Sequence, residues 1–566
     1  MRSGRSWVLT GLLGVLTALA CGRGGSDAGD TGGPEGEPAM GDMAVIGIPT
    51  DLDTMFPPTS ESVPSSDVYS NIYWYMMRSN PDFITFRPGL ADSFRFTPDS
   101  LSVDFFIHPG ITWHDGQPFT ADDVVFGHTV CKAPEINWSA ASWLDHITKV
   151  EALSPLVVRF TYDNRYMYQV VDANACYPLP KHILGTVPLA AMKDHPIGRN
   201  PVGNGPFKFV SWSPNQEIVL EANTAFFRGR PPLNRLTYRI VPDQTSLATQ
   251  IQNGDIDVWP RFQPSFYPAL EKDEGIQVFS YPGRAYTYLG YNSADPRFSD
   301  KRVRQALTIA LDRQQIVDAL IYGQGTVGSQ PMISTIWAHD PTIKPYPHDP
   351  PRAAQLLDQA GWRDTDGDGI REKDGQRLSF TLLTNSDNQT RVDITTIVQQ
   401  QFKAIGVEAK PEPLEFNTFI DRLLAKEFEA AVAGWSVGIK AELTPTFGSG
   451  ELFNFVGAEN ARLDSLITAG ELERDQAKAK TIWGLAQREI IDQAYYTFLF
   501  QLNDLVAVAG RFQNVNPTAY GWSYNIEEWY VPEGRQKYNI PLGGAPVAAG
   551  ARDSARGGAG GEAGGE

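Results

Sequence analysis

The chain has 566 residues, 42% of them apolar and 11% aromatic, enough to build at least two hydrophobic cores. A formal charge of −18 argues against nucleic acid and anionic membrane surfaces as partners. Beyond the N-terminal segment, no apolar stretch approaches the length of a membrane span.

At the N-terminus, Arg2 and Arg5 precede an apolar run over residues 7–20 that is too short for a permanent membrane helix and has the build of a secretory signal. It ends in Ala18-Leu-Ala-Cys21, which reads as a bacterial lipoprotein box, although Ala18 stands where leucine is more usual. Cleavage there predicts a signal peptide over 1–20 and an extracytoplasmic protein anchored through a lipid on Cys21. The alternative is a secreted protein with an incidental cysteine. Residues 21–42 hold almost nothing that can be buried and are expected to form a flexible tether. Cys131 and Cys176 make an even pair, which in an oxidising compartment predicts a disulfide, the alternative being two buried thiols. Neither has a CxxC neighbour, so zinc and thioredoxin-like chemistry are unsupported.

Farther along, 217–222, 236–241 and 378–383 have strand composition. A helix is predicted over 300–313 with Asp300 as N-cap, a second over 392–405 ended by Gly406, and a third over 460–471. The mixture predicts an α/β chain with helices packed on sheets. The Gly/Ala-rich tail, 541–566, is expected to be disordered.

The run Arg87-Pro-Gly-Leu-Ala-Asp-Ser-Phe, followed by Phe105-Phe-Ile-His-Pro-Gly-Ile-Thr-Trp-His-Asp-Gly-Gln-Pro-Phe-Thr-Ala-Asp-Asp-Val, resembles the signature region of family 5 extracellular solute-binding proteins. In the family's order follow Pro180-Lys-His-Ile, Asn200-Pro-Val-Gly-Asn-Gly-Pro-Phe, Gln252-Asn-Gly-Asp-Ile-Asp, Val303-Arg-Gln-Ala-Leu and Ala353-Ala-Gln-Leu-Leu-Asp-Gln-Ala-Gly-Trp. The resemblance covers 43 to about 540. It implies a two-lobed periplasmic-binding-protein clamshell of type II, with mixed sheets and two interlobe crossings. Lobe I would comprise 43–283 and 509–540, with an inserted subdomain at about 80–200, and lobe II 284–508. The implied function is the substrate-binding component of an ABC importer. It would capture a peptide-like or other organic solute and deliver it to a permease and its ATPase. The protein would be a monomer held to the membrane by its lipid alone, with no cofactor.

The same resemblance places Trp435, Ser436 and Gly438 at a strand-to-loop corner facing the cleft, Asn454 beside the ligand, and Asp53 and Tyr73 on the rim of lobe I. A core position is the alternative for each. Peptide receptors of this family carry an aspartate three residues after the corner tryptophan, where it pairs with the peptide's free amino terminus. Gly438 occupies that place here, and the next charges are Lys440 and Glu442. A buried ammonium needs a partner, so the departure implies a solute that is N-blocked, neutral or otherwise charged. In 286–292, alternate aromatic residues face either core or cleft.

The remaining motifs have structural readings. Residues 114–118 predict a hairpin turn with Gly116 left-handed and Thr120 capping the next helix, with His114 as a metal ligand the lesser alternative. Residues 203–206 predict a turn, since the lysine and helix of a phosphate loop are missing. Asp364, Asp366 and Asp368, with Gly369 next, match the start of a calcium loop, but position 12 is Gly375. A structural calcium ion and a metal-free Asp/Gly turn are both open. No GxSxG, HExxH, dinucleotide or Walker motif is present. A secreted hydrolase and a transporter-independent binder or chaperone stand as the alternatives in function.

Overall fold

The computed structural model describes residues 39–543 and the backbone of 547–548. The signal segment, Cys21 and most of the tether and tail lie outside the described residues. A single 11-stranded sheet runs through the body. In spatial order its strands are Glu408–Leu414, Ser379–Asn385, Ala430–Ser436, Ile276–Tyr291, Tyr496–Ala509, Val258–Pro260, Met43–Ile48, Arg235–Ile240, Glu217–Ala222 and Phe207–Ser213, with Gly325–Val327 paired beside Tyr496–Ala509. Met43–Ile48 is buried at every position and runs parallel to Arg235–Ile240, which is why its sequence is apolar throughout rather than alternating.

Two central strands, of 16 and 14 residues, are long enough to belong to both halves of the molecule. They pair antiparallel from Ile276 with Ala509 to Pro282 with Asn503, and again from Ala285 with Leu502 onward. Gly283 and Arg284 are left unpaired between these stretches. On one side of this break, Val506 and Val508 pack with Ala44, Ile46, Val68 and Val258. On the other, Leu289, Tyr291, Leu499 and Phe500 pack with Val303, Leu307, Phe380 and Val398. The sheet is therefore continuous while the cores are separate, and this makes two lobes joined by two crossings.

The strand Tyr496–Ala509 is expected from sequence to leave the C-terminal lobe at 508/509. The strand goes on pairing with Val258–Pro260, which carries 505–508 into the N-terminal lobe.

A separate four-stranded antiparallel sheet, Ala91–Phe96, Ser102–Ile107, Val157–Tyr162 and Ile147–Ser154, packs against the helix Ala121–Lys132. Thr120 and Asp123 cap that helix reciprocally, and Gly116 in the preceding turn has φ +88°. The helix capped by Asp300 stops at Ala310, short of its predicted end. Leu311 turns extended, and the Asp312 side chain accepts from the Gln315 N–H to cap a new helix, Arg313–Leu320. Asn388 starts the helix Gln389–Lys403 earlier than its apolar pattern suggests, and Gly406 beyond it has φ +80°.

Cys131 and Cys176 are joined by a disulfide that closes a 45-residue separation. A loop of that length limits the unfolded chain by about 4 kcal/mol in the chain-entropy model. Replacing both cysteines by serine should lower the stability of this region by up to about that amount. Urea titration followed by near-ultraviolet circular dichroism checks it, and an unchanged midpoint would show that the bond carries no stabilisation.

Candidate functional site

A cleft of about 580 Å³ opens between the lobes beside the two crossings. Its N-terminal wall comes from the helix Val63–Tyr69 and the segment after it, which supplies Trp74, Tyr75 and Arg78. Residues 70–76 of that segment lie outside the strands, and the signature motifs hold them. The Gly205 and Phe207 N–H groups donate to the Ile72 and Asn71 carbonyls at 2.8 and 3.1 Å, and Asn204 Oδ1 accepts from the Trp74 N–H at 2.9 Å. A Cβ at Gly203 would lie 1.9 Å from the Ile72 oxygen, and one at Gly205 2.6 Å from the Asn71 oxygen, so only glycine permits this approach.

His114 locks the same turn. The Gly203 N–H donates to its Nδ1 at 3.3 Å, and Nε2 lies 3.0 Å from the Gly205 carbonyl, so Nε2 carries the proton and the ring is neutral. Burial pushes its pKa down to about 4. His114 is thus a structural clamp with both nitrogens engaged.

Aromatic rings line the cleft. Tyr75 stacks on Tyr177 with centroids 3.9 Å apart, and Tyr69, Phe83, Trp143, Tyr520 and Tyr524 complete the wall. The opposite lobe contributes Ser436, Val437 and Ile439. Two charge pairs are closed within the lining. Arg261 meets Asp67 through two hydrogen bonds of 2.6 and 2.7 Å, and Arg78 meets Glu527 at 2.7 Å while lying 4.1 Å over the Trp74 ring. Arg284 from the unpaired bulge and Asp504 from the facing strand also line the cleft. Burial pushes the Arg284 pKa down and the Asp504 carboxyl up, while the neighbouring charges, Asp504 on one side and Arg261 and Arg284 on the other, oppose these shifts. A second cavity of about 200 Å³ shares Ala285 and Ser436 with the first and adds Arg391, Gly434 and Trp435.

The loop after Ala430–Ser436 crosses to the other lobe. Lys440 Nζ pairs with Asp172 at 2.6 Å, with side chains only 16% and 1% exposed, and lies 4.6 Å over the Trp143 ring. The Ala441 N–H donates to the Tyr168 hydroxyl at 2.7 Å, and Trp337 Nε1 donates to the same oxygen at 3.2 Å. Burial pushes the Asp172 carboxyl up and Lys440 pulls it back. Lys440, one of the two charges that follow the corner, is therefore committed to bridging the lobes, and Glu442 stays outside the cleft lining.

The other expected site residues divide. Trp435 stacks on Phe455 at 5.1 Å and lines the second cavity, and Ser436 lines both cavities. Gly438 is exposed and lies between the lining residues Val437 and Ile439. Three placements differ from expectation. Asn454 is fully buried, donating to the Gly448 and Ala458 carbonyls and accepting from the Ala458 N–H, and so it braces its own loop. Tyr73 is fully buried in the core of the N-terminal lobe. Asp53 is exposed away from the cleft and ties a turn through Ser60, Glu61 and Ser65. In 286–292, Tyr286, Tyr288 and Tyr291 are all core, with Tyr286 also touching the second cavity.

Asp364, Asp366 and Asp368 converge with Glu372, their oxygens within 4.8 Å of one another. Asp364 already accepts the Gly367 and Gly369 N–H groups, and Asp368 pairs with Arg377. The turn is closed by its own bonds.

A two-lobed α/β body with a cleft across twin crossing strands defines the class of solute-binding clamshells. The chain belongs to the bacterial extracellular solute-binding proteins, family 5, whose middle-region model matches residues 85–445. This family places it outside the cytoplasm, and among the described residues no helix is long and apolar enough to cross a membrane. It is 33% identical to the oligopeptide-binding protein AppA of Bacillus subtilis over 88% of this chain and 93% of that one. The structure of AppA in complex with a nonapeptide matches with TM-score 0.70 at 32% identity, covering 88% of this chain and 100% of AppA. CtaP of Listeria monocytogenes matches at 0.79 with 25% identity, over 87% and 100%. NikZ of Campylobacter jejuni, in complex with Ni(L-His), matches at 0.71 with 25% identity, over 86% and 99%.

Two predictions follow from this geometry. His114 is depressed on folding, so the unfolded chain takes up a proton near pH 6.5 that the folded chain refuses until about pH 4. Its contribution is whole above pH 6.5 and is lost as pH falls toward 4, reaching about 2 kcal/mol by pH 5. NMR should show the His114 ring titrating only near pH 4. An ordinary titration near 6.5 would contradict the clamp. Lys440→Ala leaves Asp172 buried without its cation, which penalises the closed arrangement by about 3 kcal/mol. Solute affinity should fall at least about tenfold and the scattering radius should grow. Unaltered affinity would show that the pair does not hold the lobes together.

Proposed function

We propose that this protein is the lipid-anchored receptor of an ABC importer for peptides, binding them between its lobes and presenting the closed form to a permease and its ATPase. The observation that carries the reading is an unpaired strand edge facing a ligand-sized cleft. Ala430–Ser436 pairs on one side with the first crossing strand along its whole length, but on the other only at Ala430 and Ala431. Gly434, Trp435 and Ser436 line the second cavity, where an extended chain can add as a further strand. Main-chain pairing tolerates any side chain, and the aromatic walls give affinity to varied ones. The nonapeptide bound by AppA supports an extended peptide over a small metal chelate of the kind bound by NikZ.

In this reading lobe I comprises 43–283 and 503–540, lobe II comprises 284–502, and the lipid on Cys21 is the only membrane contact. The cleft lining favours binding over turnover. It contains no histidine, cysteine or lysine to activate a nucleophile. Asp67 and Glu527 are held by arginines, which leaves Asp504 alone where glycoside hydrolysis needs two carboxylates.

Calorimetry with a mixed peptide library should show saturable binding, small-angle scattering should show a smaller radius at saturation, and mass spectrometry should recover the peptides intact. Absence of binding, or cleavage of the library, would overturn the reading.

A further inference from the structure

We infer that Asp504 holds the free amino terminus of the solute, in place of the aspartate missing at Gly438. The inference rests on the peptide reading above. Four observations place the role on this residue. Asp504 lies in the second crossing strand opposite Tyr281, at the edge of the Gly283–Arg284 bulge, and it lines the cleft. It is half-buried, yet among the described residues it accepts no hydrogen bond and closes no ion pair, unlike Asp67 and Glu527 in the same cleft. Its oxygens are therefore free to accept donors from a solute in the cleft. The backbone makes room for it, since a Cβ on Gly283 would lie 2.8 Å from Asp504 Oδ1.

Among the other charges near the corner, Arg284 lines the cleft beside Asp504 but is a cation and cannot hold an amine. Lys440 is committed to Asp172, and Glu442 is outside the lining. An ammonium group brings three N–H donors and a positive charge, which satisfies the oxygens of Asp504. The position also couples recognition to closure. The carboxylate sits on a crossing strand, so a solute whose amine rests there reaches the Gly434–Ser436 edge of the other lobe only when the lobes are shut. The expectation of an N-blocked solute therefore gives way to a solute with a free amine.

The experiment compares a library of unmodified pentapeptides with its N-acetylated counterpart, by calorimetry, on the wild-type protein and on Asp504→Asn. The wild type should bind the unmodified library roughly ten- to a hundredfold more tightly, as the loss of a hydrogen bond to a charged group implies. Asp504→Asn should bring the unmodified library down to the affinity of the acetylated one, with near-ultraviolet circular dichroism unchanged, since no internal hydrogen bond is removed. Equal affinity of the wild type for the two libraries overturns the inference and leaves the peptide reading standing, whether or not the variant folds. A preference that survives in Asp504→Asn also overturns it. Failure of the wild type to bind either library removes the peptide reading and this inference with it.

Discussion

The rest of the molecule depends on one pairing, that of Ile276–Tyr291 with Tyr496–Ala509. Among the described residues these strands form the backbone ladder shared by the two hydrophobic cores, and their register shifts twice, at Gly283 and Arg284 near the middle and again between Thr287 and Tyr288. A ladder with two unpaired residues bends at that place at little cost, because the cores on either side move as packed bodies while few hydrogen bonds change. The break at Gly283 and Arg284 turns Arg284 out of the ladder and brings Asp504 against Gly283, so it also places two opposite charges in the cleft lining.

The sequence motifs that identify the family act one step away from the ligand. His114, Gly203, Asn204 and Gly205 do not line the cleft. Their hydrogen bonds fix residues 71–74, and that segment aims Trp74 and Tyr75 into it. The strict demand for glycine at 203 and 205 comes from close backbone approach. A rigid platform built in this way keeps its motif while the residues it presents differ, which explains how a highly specific signature can carry so little information about the solute.

This separation also explains what was legible in the sequence. Caps and turns were readable because they are local. Asp300 and Thr120 start helices where their side chains predict, and Gly116 is left-handed in its turn. The class and the two crossings were readable through the motifs. The pairing of 506–508 with Val258–Pro260 was not, because it is a contact across more than two hundred residues. Tyr73, Asn454 and Asp53 were misplaced because an aromatic ring or a polar side chain near a cleft has the same composition as one in a core or a loop brace. Asp504 did leave a signal. In the run Leu499-Phe-Gln-Leu-Asn-Asp-Leu-Val-Ala-Val it is the one charge in an otherwise largely apolar strand, an anomaly that calls for either a partner or a function.

The charge arrangement completes the argument about selectivity. Asp67 with Arg261 and Arg78 with Glu527 are satisfied within the protein, so a solute gains little by displacing them, and they serve as fixed walls. The aromatic lining and an unpaired strand edge attract extended chains without regard to side-chain identity. Affinity of that kind is spread evenly along a solute and does not fix where it starts. In the inferred arrangement Asp504 supplies what the walls lack, a fixed end from which the register of the whole chain is counted. Because the Lys440–Asp172 bridge closes over the same cleft from the opposite side, a solute in the correct register adds its contacts to a closed form that the protein's own charges already favour.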